Sequence, residues 1–210
     1  MNKARLEGLS DASFAIIFTL LVIEIRVPEH ILDMSSLGLW KELHHLAPLF
    51  IGYIVSFLVI AMFWISHSFF YSSFVKTVDR PLVGLNLLYL MFLAIIPFSS
   101  HLLGRYPDVP LAMLWYGINV LAIGVMAILT FKYALYSHEI DTAHNSPRLI
   151  AQAQVRQYLT VGSTVVGILC IPVSQWLTLF FYAFPVVFNV IPGFLNKMER
   201  MFGFKLGGTD

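Results

Sequence analysis

Long apolar runs separated by short polar interruptions set the layout of this chain. Four such runs cover about 9–27, 47–75, 82–103 and 111–133. Each has the roughly 20 residues that a helix rising about 1.5 Å per residue needs to cross a hydrocarbon layer of about 30 Å. The breaks fall at Pro28–His45, Lys76–Pro81 and Gly104–Pro110, where charge, proline and glycine interrupt the pattern. A further run from Tyr158 to Ile191 would be roughly 50 Å long as one helix, too long for a single crossing. Pro172, Ser174 and Gln175 near its middle predict a tight turn and two spans, about 155–172 and 175–191. The expectation is a single all-α integral membrane unit over residues 1–210 with six transmembrane helices.

Composition supports the membrane reading: 58% hydrophobic and 12% charged residues leave too little polar surface to cover a soluble globule. Charge then tests the helix count. With six helices and both termini inside, only Arg26, Lys41 and Arg105 of the 13 lysines and arginines fall outside, the asymmetry that positive-inside bias requires. Five helices would send Lys197, Arg200 and Lys205 outside. Lys3 and Arg5 before an apolar core also resemble a signal peptide, but Glu7 and Asp11 interrupt the approach and no small-x-small site follows Ile25. A net charge of +1 without a basic patch excludes a nucleic-acid partner. The single cysteine, Cys170, allows no intrachain disulfide and no cysteine metal cluster, and no cofactor is expected.

The first span is the most informative. It opens on Ser10-Asp11, closes on Glu24 and Arg26, and carries the hydroxyl of Thr19 near its middle. Polar groups at membrane depth point to function or to specific partners. At 100° per residue, Ala12, Ile16, Thr19, Leu20 and Ile23 share a slim aliphatic face, and Phe14, Ile17, Phe18 and Leu21 lie broadly opposite. The bulky face suits packing within one subunit. The slim face suits symmetry copies around an axis, although on pattern alone contact with a neighbouring helix or lipid is the more ordinary reading.

The string Arg5-x-x-x-Leu9-Ser10-Asp11, followed by Ala15-Ile16 and Thr19 to Ile25, resembles the signature first helix of the bacterial relatives of transmembrane protein 175, the lysosomal potassium channel; Leu9 stands where that family has phenylalanine. Phe63-Trp64-Ile65-Ser66-His67, Asp79-Arg80, Leu85-Asn86-Leu87-Leu88 and Pro97-Phe98 extend the resemblance over about residues 5–100. It implies a homotetramer of six-helix subunits in a bacterial inner membrane, with four first helices lining a central potassium-preferring pore that has no carbonyl filter. Carried over from the Ser10-Asp11 anchor, Ile16 forms the narrowest ring, Leu20 and Ile23 form rings further outward, and Thr19 adds hydroxyls between them.

Such an apolar ring gates by whether water stays in it, and it favours the cation that sheds water more easily. Thr19 either replaces a lost water or bonds the carbonyl one turn back. Glu24 either forms an acidic outer vestibule or pairs with Arg26 or Lys41. Arg5 and Asp11, six residues apart, do not share a helix face. Ser10, Asp11, His67 and Asn86, with Arg5 and Trp64 at similar depth, are expected to form a network that locks the first helix to its scaffold; His67 is also a candidate proton sensor. His44, His45, His101, His138 and His144 read as interfacial residues. Thr160-Val161-Gly162 matches the start of a potassium filter only by coincidence, because Ser163-Thr164 follow. A secondary transporter or proton-linked cation permease is the rival function, weakened because residues 110–210 hold no counterpart of the Ser-Asp motif. No nucleophile-base pair or metal set supports an enzyme.

Overall fold

A computed structural model of the chain describes residues 2–26, 35–137 and 147–190. Among these residues every regular element is a helix: α1 Lys3–Ile23, α2 Ser36–His45, α3 Ala47–Phe74, α4 Arg80–Leu93, α5 Ile96–Arg105, α6 Pro110–Tyr136, α7 Pro147–Leu169 and α8 Gln175–Val190. Four stretches are long and apolar enough to cross a membrane: α1, α3, α4 with α5 taken together, and α6. The protein is therefore a membrane protein with several apolar helices.

Several boundaries differ from the hydropathy pattern, each for a local reason. The first helix begins at Lys3 rather than near residue 9, because Asn2 caps it by accepting the Ala4 amide at 3.1 Å and Lys3 reaches Glu7 one turn on at 3.7 Å. It also ends earlier, with Glu24 at its C-cap. Part of the expected outer loop is helical: Ser35 accepts the Gly38 amide at 3.1 Å and starts α2. The third span breaks into α4 and α5 because Pro97 has no amide hydrogen for the carbonyl of Leu93, the last residue of α4.

Between α7 and α8, residues Cys170–Ser174 make the turn expected from Pro172 and Ser174. The first half of α7 carries Gln152, Gln154, Arg156 and Gln157, and α8 has 16 residues, so neither joins the four apolar stretches. Pro185 sits inside α8 without breaking it. Its ring cannot donate to the carbonyl of Phe181, and the hydroxyl of Ser163 on α7 donates there instead, at 2.6 Å. His138, His144, the last residue of the sixth span and the expected solvated tail after Asn196 lie outside the described residues.

Two apolar clusters hold the bundle together. The larger joins Phe14, Ile17 and Leu21 of α1 to Val59, Ile60 and Phe63 of α3, Tyr89 and Leu93 of α4, and Tyr116, Val120 and Ile123 of α6. The smaller packs Leu6 against Phe70, Tyr71, Phe74, Leu82 and Phe131. Glycines set the closest approaches. Tyr182 of α8 is seated against Gly117 of α6 and Gly167 of α7, and donates its hydroxyl to the Met113 carbonyl at 3.0 Å.

At the contact of α3 with α5, a Cβ on Gly104 would lie 2.8 Å from the Leu49 Cα. Gly104→Ala is therefore expected to destabilise the protein by about 1–3 kcal/mol through overpacking. Gly84→Ala, whose Cβ meets nothing within 4 Å, should stabilise α4 by about 0.5–1 kcal/mol. Thermal unfolding in detergent measures both, and shifts of the same sign would contradict this account of the α3–α5 contact.

Candidate pore-lining face and its clasp

α1 buries Leu6, Ser10, Phe14, Ile17 and Leu21, a set recurring every three or four residues along one face. The face turned away from the bundle is aliphatic: Ile16, Leu20 and Ile23 are 58%, 41% and 61% exposed. Ala12 and Thr19 are exposed beside them. The split into a bulky inner side and a slim outer side matches the helical wheel, with Phe18 half-buried at the border. The Thr19 hydroxyl donates to the Ile16 carbonyl at 2.8 Å. Its proton is thus committed to the backbone, which leaves the oxygen lone pairs as the group it can offer to a cation.

The buried side of α1 is fastened by a chain of hydrogen bonds running in one direction. His67 Nε2 on α3 lies 2.8 Å from Asn86 Oδ1 on α4, Asn86 Nδ2 donates to Ser10 Oγ at 3.0 Å, and Ser10 Oγ donates to the Leu6 carbonyl at 3.0 Å. Since the Asn86 oxygen can only accept, the His67 proton sits on Nε2. Ser10 is fully buried and Asn86 is 1% exposed, so every member depends on the next for its partner. Aromatic rings hold His67 in place. Tyr89 stacks on it at 5.4 Å between centroids, Phe14 meets it edge-on at 5.7 Å, and Tyr71 lies at 4.7 Å.

Asp11 stands apart from this chain. It is exposed at the edge of the slim face, where Trp64 Nε1 donates to its Oδ1 at 3.0 Å, because the 100° step from Ser10 turns it away from α4. Arg5 is also exposed and lies outside both contacts. Glu24 takes neither Arg26 nor Lys41: His101 Nδ1 of α5 lies 3.5 Å from its carboxylate and 3.2 Å from its backbone oxygen. The C-terminal end of α1 is thus tied to α5.

Two further contacts escaped the sequence reading. Asp79 caps α4 by accepting the Leu82 amide at 2.9 Å and accepts the Tyr133 hydroxyl on its other oxygen. Its place just before Arg80-Pro81 was a readable capping signal, but the partner, 54 residues away, was not. Asn119 of α6 donates to Ser99 Oγ of α5 at 2.9 Å. Thr160-Val161-Gly162 belongs to α7, where the Thr160 hydroxyl bonds the Arg156 carbonyl and Val161 packs on Gly124.

The family described as the endosomal/lysosomal potassium channel TMEM175 matches residues 5–97, the part that holds most of α1, both clasp partners and Asp79. A potassium channel of Streptomyces collinus is 43% identical over 107 residues, and this match covers 50% of each chain. A potassium channel of Chamaesiphon minutus is 31% identical over 181 residues, covering 84% of this chain and 88% of the relative. The chain belongs to the TMEM175 family. A crystal structure described as that of a lysosomal potassium-selective channel TMEM175 homolog, also from Chamaesiphon minutus, is similar with a TM-score of 0.77 at 27% identity. The match covers 90% of this chain and 96% of that one, so the likeness to a TMEM175 fold extends well beyond the residues that carry the motifs.

Proposed function

We propose that this TMEM175 family member is a passive potassium channel, modestly selective over sodium, in which four copies of α1 enclose the pore. The observation that carries the reading is the exposed row of Ile16, Leu20 and Ile23 on a helix whose other face is buried and clasped. One slim apolar face cannot enclose a path for ions by itself, whereas four copies about an axis give stacked aliphatic rings. The Ile16 ring is the narrowest of them. A cation crossing it loses part of its water shell, and the more weakly hydrated potassium ion loses less free energy than sodium. The Thr19 oxygen, its proton held by the Ile16 carbonyl, faces the partly dehydrated ion with lone pairs. Glu24, held by His101, gives the outer mouth a negative charge that concentrates cations.

In this reading each subunit crosses a bacterial inner membrane six times, with α7 and α8 as the last two spans and both termini in the cytoplasm. Ser10, Asn86 and His67 position the pore helix, and Asp11 with Trp64 and Arg5 flanks its inner end; none of them coordinates the ion. Transport needs no cofactor and no chemical step. Purified protein in liposomes tests this directly. The expected result is passive potassium flux whose reversal potential follows the potassium gradient and is less sensitive to sodium. Strict coupling to a second ion would instead support the transporter reading.

A further inference from the structure

A cavity of about 290 Å³ lies behind the pore helix, between α3, α6, α7 and α8. Phe70, Phe74 and Phe131 line its apolar side, and Arg156 and Gln157 of α7 supply polar groups. Arg156 is the unusual member. Its Nε is buried with no hydrogen-bond partner among the described residues, although a guanidinium remains charged at any pH the protein meets. Two of the polar residues that line the cavity bond elsewhere: Ser66 donates to Asn189, which in turn donates to Thr160 and to the Pro185 carbonyl. Among the described residues no aspartate or glutamate lines the cavity. A half-buried cation in this position is costly unless an anion completes it.

From this we infer that the cavity binds the phosphate of an anionic phospholipid, with the first part of an acyl chain laid along the phenylalanines. Three observations select an amphiphile over a free anion. The rim residues Phe69 and Leu149 are exposed apolar side chains that continue the cavity onto the outer surface of the bundle. Arg156 lies nine residues into α7, about 13 Å along the helix from its polar start, which in the proposed topology would set it near the boundary between head groups and acyl chains. The volume would hold about ten waters at roughly 30 Å³ each, room for a phosphate and several methylenes. Basic pockets between membrane helices on the inner side recognise lipid head groups in this way. The site rests on the inside placement of the α7 start in the proposed topology.

The test uses full-length protein purified in detergent with added phosphatidylglycerol or phosphatidylcholine, with bound lipid counted by native mass spectrometry. The wild type is expected to retain phosphatidylglycerol. Arg156→Gln should reduce retention about tenfold, a change of about 1.4 kcal/mol, whereas Arg148→Gln, which removes a charge from the exposed start of the same helix, should change it less than twofold. Ala153→Phe keeps the arginine but fills the cavity, and should also displace the lipid. Any of three results would overturn the inference: unchanged retention in Arg156→Gln and Ala153→Phe, no lipid on the wild type, or complete displacement of the bound phosphatidylglycerol by added inorganic phosphate. Lipid retention is read without ion flux, so it decides this site independently of the channel reading.

Discussion

Ile16→Asn is expected to bring the potassium-to-sodium permeability ratio close to one and to raise the conductance about tenfold, the effect of lowering a barrier by about 1.4 kcal/mol. In the proposed tetramer, four amides in place of four branched alkyl groups would hold water in the constriction and supply oxygens to whichever ion enters. Both changes reduce the cost of dehydration, and they reduce it most for the more strongly hydrated ion. The substitution is mild for the fold because Ile16 is 58% exposed and lies outside the buried set of α1. Leu20→Asn, one turn outward, should have a smaller effect on selectivity. Reversal potentials under mixed potassium and sodium gradients measure both variants, and an unchanged ratio in Ile16→Asn would remove this ring from the selectivity account.

The second large effect belongs to the clasp. Asn86→Leu is nearly isosteric but strands the His67 Nε2 proton and the Ser10 hydroxyl oxygen in the interior. Each buried group left without its partner costs about 1–3 kcal/mol. The expected outcome is a drop of several degrees in the unfolding midpoint, together with loss of potassium flux as α1 loses its register against α3 and α4. Ser10→Ala alone should cost less. The double variant should fall short of the sum by about 0.5–3 kcal/mol, because one bond is removed twice. Full additivity would mean that Ser10 and Asn86 do not act as one unit.

Much of this arrangement was legible in the chain because membrane helices obey two strong signals, length of apolar run and helical periodicity. The burial of Phe14, Ile17 and Leu21 against exposure of Ile16, Leu20 and Ile23 follows from a 100° step alone. The turn after α7 was readable from Pro172 and Ser174. Hydropathy failed where helix formation does not depend on it. Polar Lys3 to Glu7 extend α1 because a cap and an i, i+4 pair suffice, and short α2 needs only Ser35 to start. The break before Pro97 was missed although proline is visible in the sequence, because the apolar run continues across it.

Within the site, residue types indicated a network but not its wiring. Asn86 links His67 to Ser10, and Asp11, one residue further on, is turned away to Trp64. That distinction depends on helix rotation and on which neighbour packs there. The His101 partner of Glu24 was hidden for the same reason, since 77 residues separate them and only the packing of α5 beside α1 brings them together.

The central claim is that the exposed aliphatic face of α1 lines the ion path. Ile23→Cys near the outer end of that face, in a Cys170→Ser background that removes the one native thiol, tests it most directly through block of potassium flux by a charged thiol reagent applied from outside. The account predicts that modification stops the flux and that excess reducing agent restores it. Undiminished flux through protein shown by mass to be modified at residue 23 would contradict it.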